Sequence, residues 1–290
     1  MRLDEIKKLP KIDTEETKQW FRDNGMNHIA DRIMVNERYA EIHTTESLNI
    51  SGVDVNIPFY FKMCTNYVDF RGGKMTKLPF DEGSMIAQKF ELEDMAELTK
   101  LDKDMPGLVG ALSITECPKL KTIERLPAIV GNNNFNFLME IKNCESLVSI
   151  NDELEKSAVL RKLPKLKTVK ISPNIEKLVI RKCDSLVLDF NITYSKCQLV
   201  SLSMNEKMRS MKGVNKAFPN AERIVIDSKA THVLGLFKIK SLTDIFVVDD
   251  NEKINQQAQD ILQRAITEKM DLINIQQELI DAGFEDMAQL

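Results

Sequence analysis

The stretch Leu112–Ile123 reads LSITECPKLKTI, and the fold turns on its frame. Apolar residues or cysteine stand at offsets 0, +2, +5, +8 and +11: Leu112, Ile114, Cys117, Leu120 and Ile123. The frame returns in MEIKNCESLVSI, as Met139, Ile141, Cys144, Leu147 and Ile150. Upstream, FELEDMAELTKL carries it as Phe90, Leu92, Met95, Leu98 and Leu101. AVLRKLPKLKTV carries it as Ala158, Leu160, Leu163, Leu166 and Val169. Weaker copies start at Leu48, Val68, Leu178, Val200, Ile224 and Ile245, so ten copies begin 19 to 27 residues apart. A period of that length, sustained, is the mark of a solenoid.

Each copy has a physical reading. Offsets 0 to +3 alternate with period 2, which makes a short strand with 0 and +2 turned inward and +1 and +3 turned outward. The residue at +5 falls where the chain bends beneath the strand. The apolar residues at +8 and +11 are expected to return over the core on a helical turn or an irregular convex segment. One such unit cannot bury its own apolar face, but stacked units bury a continuous one. On this frame Cys117, Cys144 and Cys183 share offset +5 and form a structural ladder of small buried side chains. A metal site would want His or paired CxxC spacing beside them, and a nucleophile would want an exposed thiol with a base. Neither is present, and Cys64 and Cys197, off the ladder, read as ordinary free thiols.

LSITECPKLKTIERLP and MEIKNCESLVSI resemble the LxLxxCxxLxxLP variety of the leucine-rich repeat family, over about Leu48 to Val248. The resemblance implies an α/β solenoid: a curved parallel sheet of about nine or ten strands whose concave face serves as a binding scaffold. The irregular repeat lengths mark a degenerate member. The stretch Gln19–Phe80 resembles the opening of degenerate leucine-rich proteins encoded by large tailed bacteriophages, with YVDFRGGKMTKLPF standing for one repeat. That likeness implies a phage protein made inside an infected bacterium.

The ends of a solenoid need covers. Asp13-Thr-Glu-Glu16 is a capping box that opens a helix, with Gly25 as its stop and HIADRIMV as a second helical piece. After the repeats, Ile254, Ala258, Ile261, Leu262, Ala265 and Ile266 form a stripe at helical spacing, and another helix runs from about Asp271 to Ala282. The expected organisation is a helical N-terminal cap over 1–47, a solenoid over 48–250 and a helical C-terminal cap over 251–290. The alternative for the C-terminal helices is docking of a partner or a second copy.

The 290 residues carry a formal charge of -4, with 43% hydrophobic and 29% charged residues, so the chain as a whole is neither disordered nor a general polyanion binder. MRLDEIKKLPKID lacks the apolar run of a signal peptide, and no run of 18 apolar residues is present. An odd number of cysteines, five, argues against a disulfide framework. The expectation is a cytoplasmic protein without membrane contact, in the host cytoplasm if it is phage-encoded.

Motifs for catalysis are missing. His28, His43 and His232 sit in no HExxH, and no GxSxG occurs. RGGK (Arg71–Lys74) lacks the full phosphate-loop frame, and GLVGAL (Gly107–Leu112) precedes a strand where a dinucleotide loop would follow one. No catalytic residue, metal or cofactor is assigned. What remains is the outward strand face, with an acidic patch at Glu91 and Glu93, then Glu140, then a basic cluster of Lys142, Arg161 and Arg181 extended by Lys162, Lys177 and Lys182. Val179, Val225, Phe246 and Val248 form a more apolar end. Charges that set orientation beside exposed anchors suit a protein partner, a host protein if the chain is phage-encoded. The alternatives are a nucleic-acid module built on the basic cluster, though few aromatics accompany it for stacking, or a self-assembling structural protein. GNNNFNF (Gly131–Phe137) lengthens one repeat and reads as a surface loop, its Phe135 and Phe137 tucked in or adding a contact.

Overall fold

The computed structural model describes residues 13–37, 41–131 and 136–290. They pack as two compact units, one running to Glu145 with Ile150–Asp152, the other made of Ser146–Ser149 and Glu153–Leu290. Each is a parallel-strand β-solenoid, and the two together carry about nine turns. Phe135 and residues 1–12 lie outside the described residues.

The first unit begins with helix α1 (Thr14–Asp23), whose N-cap Asp13 accepts from the backbone N–H of Glu15 and Glu16, both at 2.9 Å. A single turn, α2 (Asn27–Ala30), follows. HIADRIMV does not continue as a helix. Its β-branched end enters strand β1 (Ile33–Asn36), which pairs antiparallel with β2 (Glu41–Thr44). The segment 1–47 therefore contains a strand pair as well as helices. The later strands are β3 (Leu48–Ser51), β4 (Tyr60–Cys64), β5 (Val68–Arg71), β6 (Met85–Glu93), β7 (Lys100–Leu101), β8 (Leu108–Thr115), β9 (Thr122–Ile123), β10 (Ala128–Ile129) and β11 (Met139–Lys142). The main sheet runs β1-β2-β4-β6-β8-β11, with β3 and β5 joining along β6 and every pairing after β1–β2 parallel. Inside it, Phe21, Phe61, Phe80, Phe70 and Phe90 form a chain of ring contacts with neighbouring centroids 5.2 to 6.2 Å apart.

Between the units' described strands, β12 (Ser149–Leu154) has residues in both. The second unit holds β13 (Ser157–Arg161), β14 (Thr168–Ile171), β15 (Lys177–Arg181), β16 (Leu199–Ser203), β17 (Arg223–Asp227) and β18 (Asp244–Val248). Its sheet runs β13-β15-β16-β17-β18, all parallel, in a register that sets each +1 and +3 residue beside its counterpart. Its return segments include a short helix, α3 (Val214–Ala217), and two 3-10 turns at Glu206–Met208 and Val233–Lys238.

The repeat frame is what the core is made of. The residues at 0, +2, +5 and +8 of the copies starting at Phe90, Leu112, Met139, Ala158 and Leu178 are all at most 1% exposed. The +11 position departs from expectation: Leu101 and Ile123 lie on the paired short strands β7 and β9, so the return path in the first unit is itself a strip of sheet. In the copy starting at Ala158, Ile171 is the buried residue where Val169 was expected.

After β18 come helices α4 (Gln256–Glu268) and α5 (Leu272–Asp281), capped by Asn255 and Asp271. Helix α4 lies along the last strand of the sheet. Its Gln259 accepts from the Val247 N–H and donates to the Ile245 carbonyl, while Gln263 accepts from the Ile245 N–H and donates to the Thr243 carbonyl. Two amides spaced by one helical turn thus stand in for the strand that would come next, which leaves fewer edge groups free to recruit another chain.

Candidate functional surface

The ladder positions come first, because they decide whether the cysteines are chemistry. In eight consecutive copies, from Leu48 to Val200, the residue at +4 is left-handed, with φ between 52° and 66°: Gly52, Gly72, Asp94, Glu116, Asn143, Lys162, Lys182 and Met204. This one conformation turns the strand into the bend and delivers +5 into the core. There Cys117 points its thiol at the Thr115 carbonyl and Cys144 at the Lys142 carbonyl, at 3.5 and 3.3 Å. Cys183 does the same toward Arg181 and Leu160. All five cysteines are free and buried. Burial pushes the thiols of Cys64, Cys183 and Cys197 up to about 12, and hydrogen bonding with Cys144 together with burial raises that of Cys117. The same hydrogen bond, from Cys117, lowers the Cys144 thiol instead. The four raised, enclosed thiols are neither nucleophiles nor ready metal ligands, and Cys144 is enclosed with them. In the copy starting at Val200 the rung is Asn205, which the sequence reading passed over. Its buried amide accepts from the Cys183 N–H at 2.9 Å and donates to the Ile180 carbonyl at 2.8 Å.

On the outward face of the first unit, charges meet counter-charges close by. Lys89 bridges to Glu91, Arg71 reaches Glu93 at 2.7 Å and Asp69 at 3.5 Å, and Lys142 holds Glu140 at 2.8 Å. The acidic patch expected at Glu91 and Glu93 is therefore neutralised in place. Asp69 fares worse. Burial raises its carboxyl above the ordinary value more than Arg71 lowers it, Glu91 and Glu93 add to the rise, and its Oδ1 has no hydrogen-bond partner. Ser113, on the same face, is buried, and Thr115 is half-buried.

The second unit is built differently. Arg161, Arg181 and Lys182 converge on a single carboxylate, Glu252, in the turn after β18: Arg161 Nη2 at 2.6 Å, Lys182 Nζ at 2.8 Å and Arg181 Nη2 at 3.5 Å. From β13 to β18 is four strand spacings, about 19 Å at ~4.8 Å each. The turn is fixed by Asp249, whose carboxylate accepts from the N–H groups of Asn251 and Lys253, and by the Asn255 N–H bonding back to the Val247 carbonyl. Glu252 itself is left-handed, φ 66°. The hydrogen bond from Lys182, then that from Arg161 and the Arg181 charge, outweigh desolvation and hold its carboxyl down to about 2. The cluster remains short of acceptors: Arg161 Nε and Arg181 Nε and Nη2 are enclosed without hydrogen-bond partners. Val179, Val225 and Phe246 lie half-buried on the same face, while Val159, Ser201 and Ser203 are covered. Lys162 and Lys177 are exposed and stand outside the Glu252 contacts. Lys142 belongs to the first unit and its own ion pair.

Sequence reasoning missed Glu252. The acidic turn DDNE was visible, but nothing in the spacing ties it to an arginine 91 residues earlier. Beside the cluster, a cleft of about 210 Å³ is lined by Lys182, Arg209, Lys229, Asp184, Asp227 and Asp250. The Lys229–Asp250 pair at 2.6 Å occupies part of it and holds Asp250 below the usual carboxylate range.

The glycine motifs and two of the histidines have structural roles. A Cβ at Gly73 would stand 2.3 Å from the Val53 carbonyl oxygen, and one at Gly110 would stand 2.1 Å from that of Gln88. RGGK and GLVGAL owe these glycines to backbones packed too closely for a side chain. His28 bonds the Asn49 carbonyl at 2.8 Å, and His232 meets Thr231 at 3.0 Å. Among the described residues no group of three or more His, Cys, Asp or Glu could hold a metal ion, and no helix is long and apolar enough to cross a membrane. Comparison with protein-family models, with curated proteins and with solved structures gives no match to this chain.

Proposed function

We propose that this chain is a degenerate leucine-rich-repeat protein that works as a non-enzymatic, protein-binding scaffold, and that its second unit reads an acidic side chain of the partner. One observation carries the reading: Arg161, Arg181 and Lys182 are gathered around one carboxylate and still keep enclosed N–H donors without acceptors. Glu252 is the intramolecular stand-in. A partner carboxylate offering two oxygens to the guanidinium forks could satisfy those donors better than Glu252 does. Half-buried Val179, Val225 and Phe246 supply apolar contact next to the charges. The likeness of Gln19–Phe80 to phage-encoded leucine-rich proteins makes a host protein the proposed partner, with the scaffold inhibiting or redirecting it in the host cytoplasm.

The test is capture from the native host's lysate with three proteins. Wild type should retain a partner, Arg161→Glu/Arg181→Glu should lose it, and Glu252→Gln should bind it about 3- to 10-fold more tightly. Equal capture by all three would move the site elsewhere. A salt titration of the purified complex identifies the partner's nature: nucleic acid would weaken steeply, with a slope set by the phosphates neutralised. A steep slope would overturn the protein-partner reading in favour of nucleic acid.

A further inference from the structure

The outward face of the first unit carries a second feature, independent of the charges. The register of β1, β2, β4 and β6 sets Met34 opposite His43, His43 opposite Met63, and Met63 opposite Met85. Directly opposed residues of an antiparallel pair, as Met34 and His43 are, hold their Cβ atoms about 4.5–5.5 Å apart on one face, and a register shift after Phe61 in the parallel β2–β4 pairing brings Met63 beside His43. Met34 and Met63 are 54% and 38% exposed, whereas their strand neighbours Ile33, Ile42, Phe61 and Cys64 are buried on the opposite face. Two flexible thioethers therefore flank one imidazole, with a third thioether next in the row.

The imidazole has a carboxylate beside it. His43 Nε2 lies 3.3 Å from Glu41 Oε2, two residues back on the same strand. With the carboxylate accepting from Nε2–H, Nδ1 keeps its lone pair. A carboxylate that fixes a histidine's tautomer and leaves its other nitrogen as donor is the outer-shell arrangement of metal-bound histidines. Thioether and imidazole donors together select soft metals, copper(I) above all, over the hard divalent cations that carboxylate clusters take. Methionine's three rotatable bonds let its sulfur reach toward a shared ion from a neighbouring strand.

We propose that Met34, His43 and Met63 form a binding site for a soft monovalent metal ion, copper(I) or silver(I), with Met85 adjacent and Glu41 as the residue that positions His43. The site differs in kind from the His, Cys, Asp and Glu clusters absent among the described residues. It lies in the first unit and does not depend on the Glu252 cluster of the second. Binding involves no change of oxidation state: the metal enters as the monovalent ion, and neither thioether gives up a proton.

Silver(I) in chloride-free buffer is the probe, since it stays monovalent, and methionine methyl resonances of protein labelled at the methionine methyl carbon are the readout. One equivalent should shift the Met34 and Met63 methyls. His43→Gln and Met63→Leu should each weaken binding at least about 10-fold, and Glu41→Gln, acting only through His43, should weaken it to a lesser degree; outer-shell losses run to about 10–100-fold. A competition titration with a copper(I) chelator should reproduce that order. Silver captured by the buried cysteines would leave the Met34 methyl unmoved, and that outcome overturns the proposal. So would shifts of full size in His43→Gln. The substituted side chains lie on the outward face, so an unchanged thermal midpoint in each variant shows that a lost shift reflects the site and not the fold.

Discussion

The two units solve the same electrostatic problem in different ways. In the first, Glu91, Glu93 and Glu140 find a cation on the same strand or the next one. In the second, three cations from two strands and the bend after one of them depend on one carboxylate delivered by a turn three and four strands away. Local pairing makes a face that is polar but balanced, with little to offer a charged partner. Pooled pairing makes a face whose charge is held by a single residue and can be released by displacing it. That contrast is why the candidate binding site is placed on the second unit.

The units differ at their rungs too, and this difference should give the largest effect. Cys117 and Cys144 aim weak thiol donors at one carbonyl each, while Asn205 serves a backbone N–H and a backbone carbonyl at once. Asn205→Ala strands two buried polar groups at roughly 1–3 kcal/mol each, so a loss of about 2–6 kcal/mol is expected in urea unfolding. Cys117→Ser replaces a polarisable sulfur with a hydroxyl that can still reach the Thr115 carbonyl, and should cost about 1 kcal/mol. Equal losses would mean that the rungs are interchangeable filler.

Much of this was legible beforehand, and the reason is burial. A residue that must face the core in every turn leaves a periodic trace, so offsets 0, +2, +5 and +8 were readable from LSITECPKLKTI and its copies. The left-handed +4 position was not readable. Backbone geometry imposes it while Gly52, Asp94, Asn143, Lys182 and Met204 all comply, so no residue type announces it. A four-residue run such as Ile33–Asn36 carries too little periodicity to separate strand from helix. The Gln259 and Gln263 bonds to β18, like the Glu252 contacts, join elements by tertiary placement alone, which sequence spacing does not encode.

Acid should separate the units by sign. Glu252 is held down to about 2, so its contribution to stability is complete above the ordinary value near 4.5 and disappears as pH falls from there toward about 2. The Glu252 side chain is partly exposed, and after solvent screening that contribution is about 1–2 kcal/mol. Glu252→Gln should therefore be less stable than wild type at pH 7 and equal to it near pH 2. Asp69 runs the other way. Burial raises its carboxyl, so the folded state binds a proton more readily than the unfolded one and is penalised as pH rises through the raised value. Asp69→Asn should be more stable than wild type at pH 7, by up to about 1 kcal/mol, and the advantage should vanish below about pH 4. Two variants shifting in the same direction at pH 7 would contradict the assignment of one carboxylate as latched and the other as crowded.

The smallest effect should come from the local pairs. Glu140 and Lys142 are two residues apart on one strand and make a single ion pair, where Glu252 gathers three cations. Exposed and half-exposed pairs of this kind contribute about 0–1 kcal/mol. Glu140→Gln should therefore change the urea midpoint by less than about 0.5 kcal/mol, and 0.5 M salt, which shortens the screening length to a few ångströms, should remove even that. Glu252→Gln in the same salt should keep most of its effect, because its direct hydrogen bonds to Lys182 and Arg161 do not depend on long-range fields. If Glu140→Gln proved as costly and as salt-resistant as Glu252→Gln, local and pooled pairing would be energetically alike. The second unit's face would then have no stronger claim to an acidic partner than the first's.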